Sequence, residues 1–325
     1  MNDAQQLHRD SIIIDGLNAS WFFSDSVIKH IHQGGTTAVN ATLAAWHNPE
    51  ETLDMIGQMY EQLDRHAAIA MQIRSVADIH AAKVAGKTGF IFGFQDTAPI
   101  ADKLPLLRAY HELGVRIIQL TYNFENRVGF GCQVAEDKGL TAFGRDVIAE
   151  MNRLGILVDL SHCGPRTTLE AIAASQKPVA ITHANAAAQF LHPRNKSDEA
   201  LKACAARGGV IGALSFPAML TPNLPAAVED YASAIDYLVQ MVGVDHVGIG
   251  PDFMEEMPAE VVQTVLAGLP LDVIAFMESI PPVQNFASAA ELPNVTAALL
   301  ARGYSAADTQ KIMGGNWLRL YEQVW

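Results

Sequence analysis

Short apolar or β-branched runs alternate with longer stretches of helical periodicity from one end of the chain to the other. Residues 11–14, 37–42, 88–92, 115–120, 156–160, 178–182, 209–214 and 246–250 each read as a strand, because they are too short for a helix and bounded by turn residues. Between them, residues 104–114 carry apolar side chains at three- and four-residue spacing and end on a glycine, which suits a helix C-terminus. The same order of helix, glycine and strand recurs at 143–155, 201–208 and 232–243. Strands that alternate with helices pair in parallel, and eight such units are what a closed barrel needs. The pattern therefore predicts an α/β protein, a (β/α)8 TIM barrel, as a single domain over residues 1–325. After the eighth strand, residues 252–293 are richer in Pro, Met and acidic side chains and predict a long loop with a helix. Closing helices are expected at 294–302 and 306–322.

In such a barrel the chemistry sits where the strands end. The polar residues there are Asp15 and Asn18 after the first run, Asn40 within the second, Gln95 and Asp96 after the third, and Tyr122 and Asn123 after the fourth. Ser161 and His162 follow the fifth run, His183 the sixth, Ser215 the seventh and Asp252 the eighth. Two imidazoles and a carboxylate converging from different strands suit a divalent ion of the zinc type. Such an ion would activate a water and polarise an amide carbonyl, with Asp252 beside the water as general base and later as acid. Asp159, inside the fifth strand, reads as a buried hydrogen-bonded carboxylate, and Cys163 as a small packing residue. The remaining histidines show no ligand spacing.

Composition narrows the partners. With 22 Lys and Arg against 35 Asp and Glu the net charge is -13, which opposes nucleic acid and anionic membranes alike. The first residues carry neither a basic nor an apolar signal region, and no apolar run has spanning length, so a cytoplasmic protein is expected. The three cysteines, Cys132, Cys163 and Cys204, form no paired framework and suit a reducing compartment.

The segments VDLSHC, PVAITHAN, HPRNKSDE and DHVGIGPDF, with LGVRIIQLTYN, GLTAFGRDVIAEMNRLGI and the terminal GNWLRLYE, resemble the successive signatures of the renal-type (membrane) dipeptidases, peptidase family M19. The resemblance implies an amidohydrolase barrel that usually carries two zinc ions and cleaves dipeptides and related amides. It makes His162 and His183 the imidazole ligands of one metal and Asp252 the catalytic aspartate. It puts Arg194 and Asn195 in the segment whose arginine grips the substrate carboxylate, a task for a planar bidentate donor. A homodimer is the assembly it suggests.

Three positions depart from the family. Its Asp-Gly-His-x-Asp after the first strand is Asp15-Gly16-Leu17-Asn18-Ala19 here, so an imidazole and a carboxylate are missing. Its metal-bridging glutamate is Gln95, a neutral amide that can still coordinate through oxygen, and its substrate-facing histidine is Tyr122. A binuclear centre has lost most of its charge. The expectation is one zinc ion, or none, on His162 and His183 with Gln95 and water. Three functions stay open: a one-metal hydrolase of dipeptides or small N-acyl amino-acid-like amides, a metal-independent acid–base enzyme on a small non-peptide metabolite, and a catalytically silent ligand-binding relative.

Overall fold

The computed structural model describes residues 3–266 and 271–325. Nine parallel strands form one sheet: β1 (Ile14–Asn18), β2 (Ala38–Ala44), β3 (Ala70–Gln72), β4 (Thr88–Phe94), β5 (Val115–Gln119), β6 (Leu157–Asp159), β7 (Ala180–Ile181), β8 (Val210–Ala213) and β9 (Val247–Ile249). The barrel path runs β1-β2-β4-β5-β6-β7-β8-β9, and β3 is an extra strand that pairs only with β4. Closure between the last and first strands is made beyond β9: Asp252 N donates to Leu17 O at 3.1 Å, and Ala19 N to Phe253 O at 2.8 Å. The hydrogen bonds that close the barrel thus also fix Asp252 beside β1.

Two apolar layers follow from the alternation of side chains along each strand. Outward-facing residues such as Val39, Phe92, Ile118 and Val158 pack under the helices. Inward-facing Ile14, Ala38, Ile91, Ile117, Leu157, Ala180 and Val210 form a second cluster with Trp317, Leu320 and Tyr321 of the C-terminal helix Asn316–Val324. Trp317 fills the barrel floor and donates from Nε1 to Ile249 O at 3.0 Å. Its ring fits only because β1 and β9 present glycine to it: a Cβ on Gly16 or on Gly248 would stand 2.4 Å from the nearest indole atom.

The expected strand runs all meet barrel strands, with one displacement. The first was placed at residues 11–14, yet the strand is Ile14–Asn18, every residue of it buried. Within residues 252–293, where a long loop with a helix is expected, the described residues are helical at Ala259–Leu266 and Leu271–Ser279, and residues 267–270 lie outside the described residues. The second closing helix is interrupted by a wide turn at Lys311–Gly315, where Gly314 packs against the main chain of Ile12 and Ile14. β3 was not expected.

The helix Pro49–Arg65 starts directly after Trp46 and His47, which border the site. Its first turn is fixed by a reciprocal cap: Asn48 Oδ1 accepts from Glu50 N and Glu51 N, and Glu51 Oε2 accepts from Asn48 N. Asn48→Ala is expected to lower stability by about 1 kcal/mol in denaturant titration.

Candidate active site

The two rim imidazoles are each held from behind by a side-chain hydrogen bond. His162, just beyond β6, and His183, just beyond β7, bring their Nε2 atoms to 2.9 Å. Behind each ring the opposite nitrogen is committed. His162 Nδ1 lies 2.7 Å from Asn123 Oδ1, an acceptor, so the proton belongs on Nδ1. His183 Nδ1 lies 2.8 Å from Thr182 Oγ1, whose own hydroxyl donates to Asp159 Oδ2 at 2.6 Å. Asp159 Oδ1 is filled as well, by Ser161 N, Ser161 Oγ and Thr182 N. Asp159 therefore only accepts, Thr182 must accept from His183, and His183 also carries its proton on Nδ1. The consequence is two lone pairs facing each other. A shared cation relieves that arrangement, and carboxylate–hydroxyl–imidazole support behind a ring is how metal-ligating histidines are oriented.

Burial reinforces the neutral state. His162 and His183 both lie well below the usual imidazole range, first because they are desolvated and then because Arg194 is close by. Neutral imidazole is the form a metal needs. Among the described residues no third His, Cys, Asp or Glu joins the pair in a three-donor cluster. The residues present thus fit one ion with protein ligands on one side. They do not fit a bridged pair, because Leu17 is a buried aliphatic side chain and Ala19 a methyl group where two ligands would stand.

Gln95 follows β4 and lines the same cleft as Asp252 and Tyr122. Its Nε2 donates to Thr42 Oγ1 at 2.9 Å, which leaves Oε1 as the atom able to coordinate. Tyr122 lies flat on His162, ring centroids 4.2 Å apart and planes 19° apart, and Trp46 meets Tyr122 edge-on at 4.9 Å. Its hydroxyl is pushed above the usual range by burial and by the charge of Asp252. Asp252 holds φ at +64° and Asn123 at +55°, left-handed backbone that costs a non-glycine residue free energy and clusters at functional sites. Burial raises the Asp252 carboxyl to about 6, with Arg194 pulling it back down and Asp159 pushing it up.

Arg194 is 2% exposed. Its Nη1 donates to Ser161 O and its Nη2 to His183 O, each at 2.6 Å, so one guanidinium ties together the two loops that carry the imidazoles. Asn195 is engaged elsewhere: Nδ2 donates to Phe190 O at 2.8 Å and Met219 O at 3.0 Å. Asp96 is a loop anchor, accepting from Ala98 N and Tyr122 N, both at 2.7 Å. The sequence pattern gives Thr182 no role, and Asn123 none beyond its place at a strand end. It also missed Lys196, whose buried ammonium donates to Cys163 O at 2.5 Å and to Thr168 Oγ1 at 3.2 Å, and which burial lowers to about 8. For Asn123 and Thr182 the available signal was a side-chain acceptor adjacent to a rim residue.

A (β/α)8 barrel with a supported pair of imidazoles and a half-buried aspartate at its rim defines a barrel of the metallo-hydrolase type. The family model described as membrane dipeptidase (peptidase family M19) matches residues 1–265, and the chain belongs to that family, whose members are hydrolases. A dipeptidase, tcpJ, from Claviceps purpurea (strain 20.1) is 32% identical over 244 residues, covering 74% of this chain and 52% of that protein. Another, verJ, from Clonostachys rogersoniana, is 28% identical over 86% of this chain and 67% of its own length. The chain spans about half the length of the first of these relatives. A crystal structure of an amidohydrolase from Pseudomonas aeruginosa superposes with a TM-score of 0.95 at 36% identity, covering 100% of this chain and 99% of that one. A Rhodobacter sphaeroides metallopeptidase liganded with a phosphinate mimic of the dipeptide L-Ala-D-Ala shares the fold, with a TM-score of 0.81 at 21% identity over 97% of this chain and 100% of that one. Among the described residues no helix is long and apolar enough to cross a membrane.

Proposed function

We propose that this protein is a metal-dependent amidohydrolase that cleaves a dipeptide or a small N-acyl amino-acid-like amide. The observation that carries the reading is the apposition of two Nε2 lone pairs at 2.9 Å, each ring having its Nδ1 proton committed behind it. His162 and His183 would hold one divalent ion, zinc by ligand type, with Gln95 Oε1 as a neutral oxygen donor from the cleft that Asp252 and Tyr122 line. When bound, the ion supplies Lewis-acid polarisation of water and of the amide carbonyl.

The chain's own groups do the rest. Asp252, ionised above about pH 6, takes the proton from the attacking water and returns it to the leaving amine nitrogen as the C–N bond breaks. A carboxyl raised toward neutrality is matched to both halves of that exchange. Arg194 donates once from each terminal nitrogen to a main-chain carbonyl, which leaves its charge without a carboxylate partner among these bonds. That charge favours an anionic group nearby, which suits the free carboxylate of a dipeptide. Asn195 supports this segment through the main chain. Tyr122 walls the bound substrate against His162.

The test begins with elemental analysis of protein purified without chelator, which is expected to contain about one zinc-type ion per chain. Hydrolysis of dipeptides and N-acyl amino acids should disappear on exhaustive metal removal and return on reconstitution. Full activity in metal-free protein would replace this reading with a metal-independent one. No hydrolysis by metal-replete protein would remove the hydrolase assignment altogether. Thr182→Val, which keeps the shape but breaks the link from Asp159 to His183 Nδ1, should weaken metal affinity roughly 10- to 100-fold.

A further inference from the structure

Asp252 stands between two clefts. One is framed by the segments after β1, β2 and β9, and most of the large side chains on its wall are apolar, among them Trp21, Phe23, Trp46, Met55, Met254 and Met257. The other lies toward the end of β8 and shares Asp252 and Met254 with the first. In the first cleft Asp252 is the one charged side chain among the described lining residues. His47 adds no charge there at neutral pH, since burial lowers its pKa.

The apolar wall reaches the reacting groups without interruption. Trp46 leans edge-on against Tyr122 at 4.9 Å, and Tyr122 stacks on His162 at 4.2 Å. On the opposite side Ala19 places a methyl group on the cleft, next to Asp252 in the hydrogen-bonded closure of the barrel. A carboxylate at that position would have put charge into the wall. The loss of ligands after β1 has therefore changed the cleft's chemistry as well as its metal count.

We propose that this cleft is the specificity pocket and that it selects substrates carrying a large aliphatic or aromatic side chain on a residue flanking the scissile amide. The inference rests on the hydrolase reading above. An anionic side chain would be desolvated there beside Asp252 with no counter-charge, and a glycine would leave apolar wall in contact with water. The methionines allow the pocket to fit both branched and flat side chains.

The experiment measures kcat/KM for two dipeptide series, X-Ala and Ala-X, with X as Phe, Leu, Gly or Glu. In one of the two series Phe and Leu should exceed Gly and Glu by roughly 10- to 100-fold, the factor expected from burying such a side chain. Trp46→Ala and Met254→Ala should each reduce that preference by about tenfold or to a clear fraction of it. Hydrolysis with no preference in either series overturns the pocket and leaves the hydrolase reading standing. Titration calorimetry with L-phenylalaninamide and glycinamide reads the pocket without turnover. Tighter binding of the phenyl compound, lost in Trp46→Ala, supports the pocket even if no dipeptide is cleaved, and equal binding overturns it.

Discussion

Replacing Asp252 with asparagine is expected to lower kcat by roughly 10²- to 10⁴-fold, the usual contribution of a positioned acid–base group, with the fold retained. The substitution keeps the shape of the side chain, and the main-chain bond from Asp252 N to Leu17 O does not depend on the carboxylate. In the wild-type protein the carboxyl is held at about 6 mainly by burial. The active base form therefore accumulates as pH rises, and kcat/KM should climb about tenfold per unit below pH 6 and level off above it. Asp252→Asn should abolish that limb. Stability carries the opposite sign. A carboxyl whose folded pKa is raised binds its proton more tightly when folded, so its contribution favours the folded state at low pH and turns unfavourable as pH rises from about 4 through about 6. The asparagine variant should consequently match wild type near pH 4 and exceed it in denaturant midpoint above pH 6. A variant less stable than wild type at pH 8 would mean that the ionised carboxylate has a stabilising partner.

The barrel was legible in the sequence because its strands are buried on both faces and read as short apolar runs. The displaced first strand shows the limit of that signal. Asp15-Gly16-Leu17-Asn18 has the composition of a turn, yet all four residues lie in β1. Asp15 is tolerated there because burial raises its pKa well above the carboxylate range and because Leu17 N and Asn18 Nδ2 donate to its two oxygens. Local propensity cannot anticipate a carboxyl whose pKa is raised by its burial. β3 was missed for a simpler reason, since three residues are too few to show a period.

The site was legible in part. Strand-end position alone picked out His162, His183 and Asp252. What position could not give was how the imidazoles are held, because Asp159 and Thr182 are 23 residues apart and Asn123 and His162 are 39 apart. Asp159 reads as a structural carboxylate in the sequence, but its reach through Thr182 to the His183 ring is a tertiary fact. Arg194 shows the same limit from the other side. The HPRN motif identifies an arginine by resemblance, whereas its two short bonds to Ser161 O and His183 O exist only once β6 and β7 are adjacent.

Those two bonds give Arg194 a second role that substitution can separate from the first. Arg194→Met removes two charge-assisted hydrogen bonds, worth roughly 1.5–3 kcal/mol each, and leaves two buried carbonyls without donors. A loss of stability on the order of 3 kcal/mol or more is expected in denaturant titration. It also removes the positive charge that lowers the Asp252 carboxyl, so the acid limb of kcat/KM should move to higher pH in whatever activity survives. Arg194→Lys divides the two effects. A single ammonium cannot reproduce the planar fork that reaches both carbonyls, so stability should still fall, yet the charge remains and the acid limb should stay near its wild-type position. If the lysine variant shifts the limb as far as the methionine variant does, the charge of Arg194 is not what sets Asp252, and its contribution to the site is the geometry of the two histidine loops alone.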